Sequence, residues 1–448
     1  MKKVALHTLG CKVNYSETST IARQFSARGF TVVEQDQPCD VYVLNTCSVT
    51  EKADRECRQV IRRVLRQSPE AFIVVVGCYA QLQPRKIAAL DGVDLVLGAR
   101  EKFNLFTHER EFLKKSVPQV YVSCIDEPMS FEPSFSGEND SRTRAFLKVQ
   151  DGCDYSCSFC TIPMARGRSR SAPVDAIIDQ ALALAEQGFR EVVLTGVNVG
   201  DYGKEFGVRL LDLLRKLDAN TPFDRIRVSS IEPNLLSEEV VDFILGSERC
   251  CNHFHIPLQS GSDAVLKNMR RRYRSTDYRH VIERINHLDP DAGIGADVIV
   301  GFPGESDAQF QETCAFLADL PVSYLHVFTY SEREGTAASD FPGSVSTRVR
   351  FERSETLRSL GQLKREQFHS RHVGRTLRVL FESADEDGIS GLTSNYIRVE
   401  TSSRDFIPRE IKNVKIISSN GVSCRGEQPP HEKILSPVLS NNYGYADA

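Results

Sequence analysis

Three cysteines on one short loop, Cys153, Cys157 and Cys160 in a C-x3-C-x2-C array, constrain this chain more than any other feature. Zinc usually closes a tetrahedron with four protein ligands, and its loops more often carry C-x2-C pairs. A [4Fe–4S] cluster held by three cysteines keeps one iron open to a ligand that is not protein. The array therefore reads as a place where a small molecule meets a metal and receives an electron. The bland alternatives are a trio of buried thiols, or a zinc knuckle whose fourth ligand lies elsewhere.

The stretch before this loop supplies a second trio. Residues 1–100 alternate short apolar runs (4–8, 41–45, 73–77 and 95–97) with helical periodicity (16–28, 52–67 and 84–90). That alternation predicts an open α/β sheet whose function collects at the carboxyl ends of its strands. Cys11, Cys47 and Cys78 each follow such a strand, next to Gly10, Asn45 and Gly77. At 36 and 31 residues apart they are too dispersed for a local zinc knuckle. They predict another three-ligand cluster site, while Cys39 and Cys57 read as ordinary thiols.

Residues 101–140 lose periodicity and gather Pro, Ser and Glu, which reads as a linker. From Arg144 the β/α alternation resumes, with strands expected at 145–149, 191–194, 226–229, 253–256, 295–300 and 324–329. Six strands with intervening helices predict a partial barrel whose chemistry sits at the strands' carboxyl ends. Those ends carry Thr195, Gly196 and Asn198; Ser230 and Glu232; and Ile299, Gly301 and Pro303. Short polar groups suit an amino-acid head, Ser230 and Glu232 suit ribose hydroxyls, and the third set offers an apolar wall with bare backbone for a purine. Phe159 adds an aromatic face inside the cysteine loop. S-Adenosylmethionine carries all of these parts and can chelate an open iron through its amine and carboxylate. Residues 346–378 are predicted helical and basic, with nine Arg/Lys against three Glu. Short strands after it predict a small antiparallel barrel of a type that often binds nucleic acid.

Charge and composition bound the partners. A net charge of −4 excludes a generally basic molecule, so nucleic-acid contacts must rest on local patches. Arg166, Arg168, Arg170 and the run from Arg270 to Arg274 are candidates for gripping phosphates or, equally, solvated charges. Thirteen cysteines in a chain of 41% apolar residues argue for thiols and metal in a reducing cytoplasm, not a disulfide framework. No apolar run approaches the roughly 20 residues of a membrane span, and the opening apolar run is too short and polar for a signal peptide.

The cysteine loop with an aromatic at its penultimate position resembles the radical S-adenosylmethionine superfamily. The trio at Cys11, Cys47 and Cys78, with Thr195-Gly196-Val197-Asn198 and Ser260-Gly261-Ser262, is similar to its methylthiotransferase branch over about residues 2–428. The resemblance implies an amino-terminal α/β domain (2–115), a linker (116–138), a partial (β/α)6 radical S-adenosylmethionine barrel (139–369), a TRAM-like β-barrel (372–428) and a disordered tail (429–448). It implies two [4Fe–4S] clusters. The one at Cys153, Cys157 and Cys160 would cleave S-adenosylmethionine; the one at Cys11, Cys47 and Cys78 would carry the sulfur, facing the first across the substrate. It further implies tRNA as substrate, an electron donor such as flavodoxin or ferredoxin, and a sulfur donor. Cys11-Lys12-Val13-Asn14 and Ser229-Ser230-Ile231-Glu232-Pro233 look most like the enzymes of N6-threonylcarbamoyladenosine. Isopentenyladenosine in tRNA or a ribosomal-protein aspartate are the alternative substrates. A non-catalytic iron–sulfur carrier or RNA-binding protein is the alternative of another class, and it would not need the rim motifs from Thr195 to Pro303.

Overall fold

The computed structural model describes residues 1–48, 51–127, 129–136, 143–385, 388–402 and 406–429; most of the expected tail lies outside them. The amino-terminal domain is a six-stranded sheet in the order β2-β1-β3-β4-β5-β6, with every neighbouring pair parallel. Its strands are β1 (Lys3–Thr8), β2 (Thr31–Val33), β3 (Val41–Thr46), β4 (Phe72–Gly77), β5 (Val93–Leu97) and β6 (Gln119–Tyr121). Between them run α1 (Lys12–Ser26), α2 (Glu51–Gln67), α3 (Cys78–Leu82), α4 (Pro84–Ala88) and α5 (Leu105–His108). β3 and β4 are buried throughout, because Tyr42, Leu44, Ile73 and Val75 pack on one face and Val41, Val43, Phe72, Val74 and Val76 on the other. Such unbroken apolar runs are what a parallel sheet covered on both sides requires.

Two features depart from expectation. β6 falls within the stretch read as a linker, where it pairs with β5 as an edge strand. Three residues of mixed polarity carry too little periodicity to be seen in sequence, and the same holds for β2. Helix α1 starts at Lys12 and not at residue 16, because Cys11, in extended conformation, stands at its N-cap.

The central domain holds β7 (Arg144–Lys148), β10 (Glu191–Thr195), β11 (Arg225–Val228), β12 (His253–His255), β13 (Gly293–Val300) and β14 (Tyr324–Thr329). A two-residue pair, β8 (Gln150–Asp151) with β9 (Arg170–Ser171), closes the base of the cysteine loop, which contains α6 (Ile162–Arg166). Helices α7 (Val174–Glu186), α8 (Leu210–Asn220), α9 (Glu238–Gly246), α10 (Asp263–Asn268), α11 (Ser275–Leu288) and α12 (Asp307–Asp319) fill the connections. The sheets β7-β10-β11 and β12-β13-β14 are joined by the bridges Ile226 to Cys250 and Ser230 to His255. The result is a curved parallel sheet of six strands, open between β7 and β14. Residues Ile294, Ala296, Val298 and Val300 of β13 belong to the apolar layer under the helices. With a period of two, Gly293, Gly295, Asp297 and Ile299 therefore line the inner wall.

The amino-terminal domain spans this opening. Tyr15 of α1 meets Phe146 of β7 edge-on at 5.5 Å, and Ser16 bonds Ser134 at 2.9 Å. On the far side Asp54 pairs with Arg333 at 2.8 Å and Lys86 with Glu334 at 3.0 Å, both just past β14.

Helix α13 (Thr347–Ser370) leads to a closed five-stranded barrel, β15 (Thr376–Asp385), β16 (Gly388–Thr393), β17 (Arg398–Thr401), β18 (Ile411–Ser419) and β19 (Cys424–Glu427). Strand β19, parallel to β17, was not legible from the sequence. The basic segment is largely neutralised within the chain. Arg353 pairs with Glu305 at 2.6 Å, Arg350 with Glu332, Arg375 with Asp291, and Lys364 caps the carbonyls of Ala318 and Leu320. The small barrel docks on the amino ends of the central strands, opposite the cysteine loop. There Arg225 bonds the carbonyl of Leu392 at 2.8 Å, and Arg227 those of Ser394 and Thr393 at 2.8 and 3.1 Å. No described helix is long and apolar enough to cross a membrane.

Candidate active site

Three loops at the carboxyl edge of the amino-terminal sheet bring Cys11, Cys47 and Cys78 together, and small polar side chains lock those loops. Asn14 donates to the carbonyls of Leu9 and Thr46 at 2.8 and 3.0 Å. Thr46 donates to the carbonyl of Val76 at 2.6 Å and accepts from the amide of Ala80, in α3, whose first residue is Cys78. This explains the flanking residues seen in the sequence. Gly10 has φ +103°, and a β-carbon there would lie 2.9 Å from Cys47 Sγ. Gly10→Ala is accordingly expected to displace Cys47, costing about 1–3 kcal/mol of strain. Iron analysis should show loss at this site alone; wild-type iron content would contradict the reading.

In the central loop each cysteine sulfur accepts an N–H. The amide of Tyr155 donates to Cys153 at 3.4 Å, the amide of Ile162 to Cys160 at 3.5 Å, and Arg271 Nη1 to Cys157 at 3.2 Å. Hydrogen bonds to ligand sulfur are among the levers by which proteins hold and tune iron–sulfur clusters. Burial pushes the Cys153 thiol up to about 11 and that of Cys160 to about 12, so metal binding there must expel protons. The loop is anchored from below: Ser158 Oγ donates to the carbonyl of Asn268 at 2.7 Å, and its own carbonyl accepts from Ala338 at 2.8 Å. Phe159 packs on the apolar cluster of Met269, Phe302 and Tyr330, which includes Ile299 at its margin.

The central cysteine loop meets the amino-terminal trio through one side chain. Arg166, fully buried at the end of α6, donates Nε to Cys78 Sγ at 3.3 Å, Nη2 to Asn14 at 2.6 Å, and Nη1 to Glu17 and Asp151, both at 2.9 Å. Lys102 joins Glu17 at 2.6 Å, Lys148 lies 3.5 Å from both carboxylates, and Arg170 reaches Asp151 at 2.8 Å. Burial works to raise both acids. Arg166 and the lysines outweigh it, so Glu17 and Asp151 stay well below the usual carboxylate range. Four cations against two carboxylates leave surplus positive charge beside Cys78. That is the environment a thiolate-bound, anionic cluster fits.

This arrangement corrects one reading of the arginines. Arg166 and Arg170 are buried in the network, and the Arg271 side chain bridges Cys157 and Glu232, so none of the three grips RNA. Arg168, Arg270, Arg272 and Arg274 remain exposed around the loop, with Arg272 stacked on Tyr155 at 3.9 Å.

The rim residues stand at or just past the carboxyl ends of β10, β11 and β13. Thr195 Oγ1 and Asn198 Oδ1 are buried without a hydrogen-bond partner among the described residues, as are the hydroxyls of Ser229 and Ser262. Unsatisfied buried groups are costly, and a polar ligand would relieve them. Gln150 holds the Asn198 turn by accepting from its amide at 2.8 Å and packs beneath Gly196. Gly301, with φ +74°, donates its amide to Glu305 at 2.7 Å, so the backbone turns sharply before Pro303. Ser230 pairs with His255 through backbone. Glu232 is held by Arg271, and burial raises its carboxyl above the usual value. The Arg166 network and the roles of Gln150, Ser229 and Arg271 escaped sequence reading, because an arginine or glutamine has no spacing signature.

An incomplete parallel barrel with a three-cysteine loop at its mouth defines a radical S-adenosylmethionine protein, and residues 147–317 match the Radical SAM superfamily. Residues 3–98 match a second family, described as Uncharacterized protein family UPF0004. Among solved structures, the radical S-adenosylmethionine methyltransferase TsrM from Kitasatospora setae shares the fold at a TM-score of 0.53 and 16% identity, covering 76% of this chain and 77% of its own. The "Threonylcarbamoyladenosine tRNA methylthiotransferase MtaB" of Bacillus subtilis is 38% identical over 94% of both chains. Its counterpart in Aquifex aeolicus is 40% identical over 89% of this chain and 96% of its own. A "tRNA-2-methylthio-N(6)-dimethylallyladenosine synthase" of Syntrophotalea carbinolica is 31% identical over 87% and 90%. The chain belongs to the MtaB family of radical S-adenosylmethionine methylthiotransferases.

Proposed function

We propose that this protein methylthiolates C2 of N6-threonylcarbamoyladenosine at position 37 of tRNA. The observation that carries the reading is the pair of cysteine trios, with Arg166 of the central loop bonded to Cys78 of the other, in a chain 38–40% identical to proteins of that named activity and 31% identical to one of the dimethylallyladenosine branch. Cys153, Cys157 and Cys160 would hold one [4Fe–4S] cluster, and Cys11, Cys47 and Cys78 the other. With S-adenosylmethionine bound, the first would supply the electron that cleaves the sulfonium, and the second would carry the sulfur to be inserted.

The protein's own residues position and shield. Thr195 and Asn198 offer their unpartnered oxygens to the methionyl amine, and Ser230 and Glu232 face the ribose. Ile299, Gly301 and Pro303, with Phe159 packed behind, wall the purine. The amino-terminal domain lies across the barrel's opening, from α1 to the segment after β14. Electron donor and sulfur donor are expected to be separate partners, the former a flavodoxin or ferredoxin, in the reducing cytoplasm.

Thr195→Val should weaken S-adenosylmethionine binding about tenfold, roughly 1.4 kcal/mol, with cluster iron unchanged; unchanged affinity by equilibrium binding would remove Thr195 from the site. Nucleoside mass spectrometry of tRNA from a deletion strain tests the substrate. The 2-methylthio derivative of threonylcarbamoyladenosine should disappear. Its persistence, with loss of the isopentenyl derivative or of a modified ribosomal aspartate, would refute the assignment.

A further inference from the structure

The inner wall of the central barrel carries a cluster that neither trio uses. His255 at the end of β12, Asp297 in β13 and His326 in β14 sit side by side on adjacent strands and face the lumen, because their neighbours Phe254, Ala296, Val298 and Leu325 belong to the helix-facing layer. His255 Nε2 lies 2.9 Å from Asp297 Oδ1, and His326 Nδ1 lies 3.3 Å from the same oxygen. The three ligating atoms all fall within 4.8 Å of one another. With metal–ligand bonds of about 2.0–2.2 Å and angles between square and tetrahedral, donor atoms stand roughly 2.8–3.6 Å apart. Both contacts to the carboxylate have that spacing.

We propose that His255, Asp297 and His326 form a divalent transition-metal site, of the two-histidine, one-carboxylate type that suits Zn2+ or Fe2+ and leaves coordination positions open to the lumen.

The surroundings are those of a ligand set. A metal-binding histidine normally engages its second ring nitrogen, which fixes the tautomer. His255 does so through Nδ1, 3.2 Å from the hydroxyl of Tyr324, which in turn lies 2.8 Å from His253 Nε2. Gly295 leaves the space that the Tyr324 ring occupies on the inner wall; a β-carbon there would run into the ring. An ion reaches the site through His326, whose side chain is half exposed on the strand bordering the barrel's opening. Asp297 precedes Ile299 by one step along the inner wall, so the ion would lie about 7 Å deeper than the expected purine wall. Its open positions would face an oxygen donor entering the lumen, and neither cysteine trio supplies a ligand.

Zinc retention by the full-length, cluster-loaded protein tests this. After Zn2+ is added and excess is removed by gel filtration, elemental analysis should find one zinc per chain. X-ray absorption at the zinc edge should show only nitrogen and oxygen neighbours at about 2.0–2.1 Å. His326→Ala, at a half-exposed position that burdens the fold least, and Asp297→Asn should each weaken retention at least tenfold while cluster iron stays constant. No retained zinc in the wild type, equal retention in His326→Ala, or a sulfur shell at about 2.3 Å would overturn the proposal.

Discussion

Arg166→Met is expected to loosen the amino-terminal domain from the barrel and empty the Cys78 site of iron. The guanidinium satisfies Asn14, Glu17, Asp151 and Cys78 at once, in a position without solvent. Removing one partner of a buried charged network typically costs about 3–5 kcal/mol, since the groups left behind have no water to turn to. Methionine fills much of the volume, so the loss reports charge and hydrogen bonds more than a cavity. Arg166→Lys should recover only part of it, because an ammonium is a point charge and cannot span four acceptors in one plane. Urea denaturation and iron analysis measure the two consequences. A wild-type midpoint with full iron content in Arg166→Met would show that the network does not couple the domains. The ion network adds little net stability, since its desolvation cost is large. Its role is geometric: it sets one cysteine trio against the other.

The second large effect separates the trios. Cys153→Ala is expected to abolish S-adenosylmethionine cleavage, and Cys47→Ala to leave cleavage intact while stopping sulfur insertion. Loss of an outer hydrogen-bond partner of a metal ligand already costs about 10–100-fold, so loss of one of three ligands should cost more. Production of 5′-deoxyadenosine on reduction reads the first activity, and nucleoside mass spectrometry of modified tRNA reads the second. Equal loss of both in Cys47→Ala would undo the division of labour. Because Arg166 touches Cys78 and none of the central cysteines, its methionine variant should resemble Cys47→Ala more than Cys153→Ala.

Much of this site was legible beforehand because its chemistry is written in residue types that serve few other purposes. Six cysteines at strand ends, the glycines that let loops approach, and the short polar residues after β10 and β11 all stand where sequence reading put them. What escaped is equally informative. Arg166 and Arg170 look like phosphate contacts in a one-dimensional pattern, since nothing local reveals that Glu17 and Asp151 lie against them. The positive charge of residues 346–378 suggested a nucleic-acid surface, yet Glu305, Glu332 and Asp291, distant in sequence, neutralise much of it. Strands β2, β6 and β19 were missed because short strands carry almost no periodic signal.

By itself the sequence determined the three-part architecture, the two cysteine trios and the strand ends on which they ride. Hydrophobic period and ligand spacing are local properties, and a single chain displays them directly. Only the tertiary structure decided how the parts face one another. The span of the amino-terminal domain across the open barrel, the contact of Arg166 with Glu17 and Cys78, and the union of His255, Asp297 and His326 all depend on contacts between residues tens to hundreds of positions apart. Such contacts are selected by burial and charge pairing in the folded state, which no window of sequence contains.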